Sequence, residues 1–332
     1  MDIHLFQQLH EQGAITDDSF EQIKIYQHKK LFPVHWEIKT LLYLGVLLLT
    51  GGLGVLVYKN IDTIGHQAIL GFIALVCTAS FFYCIKNKFP FSANKVAAPN
   101  VYFDYVLLLG CLTFISFIAY LQFAYNVFGN RYGLAIFFPM LMLFCTAYYF
   151  DHLGILSLAI TNLAAWLGIT VTPMQLLKAN DFNNSNIIFT GLLLGALLIA
   201  LAFFTNKKSI KKHFEFTYTN FGMHVLFISC LAAMFHFEIS YLLWLLLLAV
   251  LAYFFYRKSI RQKSFYFLLI TTLYGYTGIS YVVIRLLSAM NSFDMGAIYL
   301  GLLYFIASAI GLILFLIKTN KKLLLSDKRT KK

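Results

Sequence analysis

Charged side chains are scarce here: Asp, Glu, Lys and Arg supply 12% of 332 residues, against roughly 25% in soluble domains. A deficit of that size excludes an ordinary water-soluble fold, and the 60% of hydrophobic residues says what replaces it. Signatures of chemistry are missing as well. The chain has no H-E-x-x-H pair, glycine-rich phosphate loop, G-x-S-x-G elbow or Cys/His zinc spacing. No catalytic residue or metal site is expected, and the chain reads as a non-enzyme. A transmembrane haem needs histidines facing each other inside the bilayer; His224 is the single one well inside an apolar run, so no cofactor is expected. The five cysteines, Cys77, Cys84, Cys111, Cys145 and Cys230, fall in apolar segments without a C-x-x-C pair and read as small buried hydrophobes. The chain start lacks the basic-then-apolar layout of a secretory signal, so the first apolar run is expected to drive insertion.

What is present is apolar length. Residues 38–59 hold no interior charge, and about 20 such residues cross the ~30 Å hydrocarbon core as a helix. Further runs follow at 67–85, 102–128, 132–150, 153–172, 186–205, 220–237, 239–256, 264–287 and 296–317. Only a helix satisfies its own backbone polar groups where water is absent. The predicted fold is therefore all-α: a polytopic membrane protein with about ten transmembrane helices. Its expected divisions are a cytoplasmic helical hairpin over 1–37, a transmembrane bundle over 38–318 and a basic tail over 319–332.

Hairpin features precede the first run. Ile3, Leu5, Phe6 and Leu9 recur at helical spacing before Gly13, and Thr16 can cap a second helix whose first turn holds Asp17 and Asp18. Residues 1–30 are a candidate docking element for a cytoplasmic protein partner.

Charge fixes the orientation. With the N-terminus inside, all but four of the 26 basic residues fall on the cytoplasmic side; Lys59, Arg131, Lys178 and Arg285 are the exceptions. The positive-inside rule then places both termini in the cytoplasm of a bacterial inner membrane. The outer acids Asp62, Asp181, Glu238 and Asp294 balance those four, leaving the net charge of +12 on the inner face. That excess suits anionic lipid headgroups. The lysine pairs have no aromatic stacking platform, so nucleic acid is not an expected partner.

Three elements carry a family resemblance. Leu9-x3-Gly13-x-Ile15-x-Asp17 comes first, followed by Ile23 and Tyr26. The second is Gly45 to Gly54 running into Tyr58-Lys59-Asn60-Ile61-Asp62, and the third is Leu121-Gln122-Phe123-Ala124-Tyr125-Asn126. In this order they resemble an uncharacterised bacterial family of predicted membrane proteins, domain of unknown function 2157, over about residues 1–170. Ile61 stands where that family has an aromatic residue. The resemblance implies a membrane protein and no particular activity.

Polar groups inside spans are expensive and are functional candidates by default. Asn162 lies mid-span beside Thr161. Asp104 and His224, near the cytoplasmic ends of the third and seventh spans, are candidates for proton coupling. The ninth span is the most polar: Tyr274, Thr277, Gly278, Tyr281 and Arg285 recur on one side, as for a water-filled cleft or an aromatic belt with a snorkelling arginine. At the outer mouth, Asn60, Asp62, Gln122, Tyr125, Asn126 and Arg285 would form a site for a small polar or anionic ligand if the first, third and ninth spans converge. Gly191-x3-Gly195 and the glycines of the first span suit close helix packing rather than a break.

Two functions stay open: a carrier for a small polar or anionic molecule, and a non-catalytic sensor or assembly factor acting through the hairpin. Orientation is directly testable. A phosphatase active only in the periplasm should work when fused after Asp181 and fail after Lys212 or Lys332; the reverse pattern would overturn the orientation.

Overall fold

The computed structural model describes residues 35–59, 65–100, 102–171, 184–289 and 295–330, with His10, residues 15–17 and Ser19. The expected hairpin therefore lies almost wholly outside the described residues, as do Asn60 and Asp62. The ten expected spans correspond one to one with ten long helices: α1 (His35–Lys59), α2 (His66–Asn87), α3 (Phe103–Tyr125), α4 (Tyr132–Phe150), α5 (Leu153–Val171), α6 (Ser185–Lys208), α7 (Phe214–His236), α8 (Tyr241–Gln262), α9 (Phe265–Ala289) and α10 (Met295–Thr330). A short 3-10 turn, Glu238–Ser240, precedes α8, and no strand occurs among the described residues. Eight of the helices are long and apolar enough to cross a membrane, and α1 and α5 hold the shorter apolar stretches Thr40–Val55 and Leu153–Gly168. This is a helical, multi-pass membrane protein.

The chain divides into two compact units, Met1–Gly65 and His66–Lys332. In the first, α1 runs unbroken through Gly45, Gly51, Gly52 and Gly54. In the second, neighbours in sequence pack as antiparallel pairs: α2 with α3, α4 with α5, α6 with α7 and α8 with α9. Helix α7 is the spine. It touches α5, α6, α8 and α9, and 56% of its apolar window is buried, more than in any other candidate span. One apolar cluster joins α2 to α7 through Cys84, Leu107, Leu143, Ile155, Leu198 and Phe214. A second joins α7, α8 and α9 through Phe227, Met234, Leu248, Phe255 and Phe267. Elsewhere the helices expose large apolar side chains such as Leu243, Leu246 and Val250 of α8, the surface expected toward lipid.

Small residues set the tightest contact. A methyl group added at Gly195 would lie 2.6 Å from Cγ of Leu226, one at Gly222 would lie 3.1 Å from the Gly195 carbonyl oxygen, and one at Gly191 would collide with Ser229. Lipid tails are as apolar as leucine, so helices associate through dispersion at close approach; the Gly191-x3-Gly195 pair permits it.

Helix ends follow local chemistry. α3 and α4 stop at Asn126 (φ 48°) and Asp151 (φ 61°), whose backbone N–H groups donate to Gln122 and Ala147. Asn and Asp tolerate this left-handed conformation better than most residues. Asn184 caps α6, its side chain accepting from the Asn186 N–H. Two expectations need correction. Helix α7 starts at Phe214 rather than near 220, because Phe214, Thr217, Tyr218 and Thr219 are buried against neighbouring helices despite their polar company. Cys145 is exposed on its helix, whereas Cys84, Cys111 and Cys230 are buried.

Candidate functional site

The α2–α3, α4–α5 and α6–α7 connections meet at one end of the second unit. Asp151, in the two-residue turn between α4 and α5, is their meeting point. Its carboxylate accepts from Nε2 of His213 at 2.5 Å, from the Val96 N–H at 2.5 Å and from Nζ of Lys211 at 3.1 Å. Both the Asp151 and Lys211 side chains are 1% exposed. Lys211 also donates its backbone N–H to the Ala93 carbonyl at 2.7 Å and its Nζ to that of Asn94 at 3.4 Å. One carboxylate thus ties the α2–α3, α4–α5 and α6–α7 connections together. Next to it, His152 is buried, with Nδ1 accepting from the Ile155 N–H at 3.1 Å and Nε2 lying 3.9 Å from Asp104.

Beside this clamp an open pocket of about 570 Å³ lies between the connections. Lys95, Lys212 and His213 line it, with Gln262 at the end of α8 and the rings of Phe216 and Phe267 as an apolar wall. Glu215 also faces it, but its carboxylate lies 3.4 Å from Nζ of Lys258 and accepts from the Gln262 amide at 3.1 Å. Lys258 donates in turn to the Thr219 hydroxyl at 2.8 Å.

A hydrogen-bonded ladder runs inward from the pocket wall. The Tyr266 hydroxyl donates to Oδ1 of Asn220 at 2.7 Å and meets Nε2 of His224 at 3.2 Å; Nδ1 of His224 meets the Tyr274 hydroxyl at 2.8 Å. Because the Tyr266 proton is committed to Asn220, Nε2 is the donor to Tyr266, and in the neutral imidazole Nδ1 is then the acceptor from Tyr274. With α7 beginning at Phe214, His224 sits at mid-helix, not near its end as expected from the sequence.

The other expected site residues do not assemble as anticipated. Gln122 uses its whole amide locally: Oε1 accepts from the Phe128 N–H, and Nε2 donates to Oδ1 of Asn126 and to the Gly129 carbonyl, each at 2.9 Å. Tyr125 packs edge-on against His66. Asn162 donates to the Leu158 carbonyl of its own helix at 3.0 Å. Arg285 lies 3.7 Å from Glu238, donates to the Tyr281 hydroxyl at 3.0 Å and sits 4.6 Å over the Tyr241 ring. Helix α9 packs against α7, α8 and α10, whereas α3 packs against α2, α4 and α5; the expected convergence of Arg285 with Gln122 and Asn126 is therefore corrected. The polar face of α9 is also packed rather than open: Tyr274 stacks on Phe227, Gly278 abuts Leu248, and Tyr281 meets Phe235 edge-on. Asp104 and His224 occupy different levels, Asp104 in the first turn of α3 and His224 midway along α7.

Residues 7–156 match the model of a family described as Predicted membrane protein (DUF2157). The resemblance read from the first half of the sequence is thereby borne out. The match spans α1 to α4 and reaches Asp151; Lys211, His213, Glu215, His224 and Lys258 lie beyond it. No curated protein and no solved structure matches the chain.

Sequence reasoning missed Asp151, Lys211, His213, Glu215 and Lys258. The signal in reach was an acid, Asp151, in a two-residue turn at an end otherwise dominated by lysine.

Breaking one partner of a buried pair strands the other, at a cost of about 3–5 kcal/mol, whereas removing both charges is far cheaper. Asp151→Asn should therefore lower the thermal unfolding temperature of the detergent-solubilised protein markedly, and Asp151→Asn with Lys211→Met should restore most of the loss. Equal losses in the single and double variants would contradict the clamp.

Proposed function

We propose that this protein is a non-catalytic carrier for a small polar or anionic molecule in a bacterial inner membrane, with its basic end and both termini in the cytoplasm against anionic headgroups. The observation that carries this reading is the ladder from the pocket wall to His224. An ionisable side chain midway along a spanning helix is costly unless it works, and this one joins a tyrosine at the pocket side to a tyrosine farther along the same neighbouring helix. Both ring nitrogens are hydrogen-bonded, so the imidazole can take up one proton at Nδ1 and keep both partners, the Tyr274 hydroxyl turning from donor to acceptor. The polar pocket supplies a place for a molecule to arrive. The ladder supplies a group whose charge can change as the molecule moves.

The test compares small-anion pools in cells lacking the protein, cells producing it, and cells producing His224→Phe at equal membrane abundance. Production should change the uptake or retention of at least one small anion, and His224→Phe should cut that rate about tenfold or more, a barrier change of at least ~1.4 kcal/mol. Unchanged pools, or a variant as active as the parent, would contradict the carrier.

A further inference from the structure

We propose that the pocket at the basic end binds a phosphate group, presented on a soluble phosphomonoester or on an anionic lipid headgroup. The inference rests on the carrier reading only for the pocket's place at the end of the ladder; occupancy itself is independent of transport.

The donors around the pocket come from separate segments of the chain. Lys95 comes from the α2–α3 connection, Lys212 and His213 from the α6–α7 connection, and Gln262 from the end of α8. The cations therefore reach the cavity from two different connections rather than along one helix. Lys95 and Lys212 are exposed, and among the described residues neither has an ion-pair partner. Their neighbours are already partnered: Lys211 is ion-paired and His213 hydrogen-bonded to Asp151, and Lys258 is ion-paired with Glu215. Glu215 is the one carboxylate lining the cavity among the described residues, and its pairing with Lys258 offsets its repulsion toward an anion. Two positive charges are left over, matching a phosphate that carries close to two negative charges near neutral pH.

First-turn residues of α7 and α9, Phe216 and Phe267, both line the pocket, so the positive ends of two helix dipoles add to its potential. The cavity of about 570 Å³ exceeds what a bare phosphate fills, and Phe216 and Phe267 offer an apolar wall to the organic part of an ester. The Asp151 clamp makes the site preorganised, because it holds two of the contributing connections before any ligand arrives.

The experiment uses the full-length protein purified in detergent and in nanodiscs. Inorganic phosphate and glycerol 3-phosphate are the soluble probes, and phosphatidylcholine nanodiscs with or without phosphatidic acid are the lipid probe. Binding is read by thermal stabilisation and calorimetry. The parent should bind one class of probe. Lys95→Ala with Lys212→Ala should weaken it about tenfold or more, since a hydrogen bond to a charged group contributes ~1.5–3 kcal/mol. Lys207→Ala with Lys208→Ala, at the same end but outside the pocket, should leave binding within about twofold of the parent. Response to the soluble probes alone assigns the phosphate to a soluble ester, and response to phosphatidic acid alone assigns it to a headgroup. Absence of binding in every arm overturns the proposal, as does equal weakening by the two pairs of substitutions. Binding that persists while the transport comparison fails removes the carrier and keeps the site.

Discussion

A carboxylate buried at the edge of a membrane protein has to be answered from every side, and Asp151 is answered from three connections at once. Desolvating an acid and a lysine together costs several kcal/mol per ion, and the cost is recovered only with close geometry and additional hydrogen bonds. Here the carboxylate receives a lysine, a histidine and a backbone N–H, and Lys211 holds two further carbonyls through its N–H and Nζ. The backbone pays into the same arrangement: Asp151 at φ 61° and Lys211 at φ 49° are both left-handed. No isolated turn would hold a lysine in that conformation with its side chain buried; the pairing sustains it.

From that point the rest of the basic end follows. With the α2–α3 and α6–α7 connections tied to one carboxylate, Lys95 and Lys212 are brought to a common cavity. The start of α7 is anchored beside it through Phe214, which packs edge-on against Tyr148. Glycine packing of α6 on α7 and stacking of Tyr274 on Phe227 then carry the same register inward to His224. Clamp, pocket and ladder are thus successive levels of one structure built on α7.

The membrane fold was legible in the sequence because the bilayer imposes one rule on every span: an apolar length with its backbone satisfied internally. Each of the ten apolar runs became a helix, and the basic α2–α3 and α6–α7 connections meet the end of α8 around one pocket. The Gly191-x3-Gly195 spacing was readable for the same reason, since it acts within one helix face. The clamp was not legible. Asp151 and Lys211 are 60 positions apart, and no periodicity links a turn acid to a loop lysine. His224 was misplaced because Glu215, Thr217 and Thr219 look like loop residues until Lys258 and the buried neighbours of α7 are known. Arg285 meets Glu238, an outer acid close in space at the foot of α8, which no spacing along the sequence singles out.

The central claim is that a buried carboxylate fastens three connections into a fixed pocket. The most direct measurement is amide hydrogen exchange of the full-length protein in nanodiscs, read at Val96 and Lys211, whose N–H groups donate to Asp151 and to Ala93. Both sit in loops, where amides ordinarily exchange quickly. The account predicts slow exchange at both in the parent and rapid exchange at both in Asp151→Asn. Rapid exchange at Val96 and Lys211 in the parent, with the neighbouring helices protected, would contradict it.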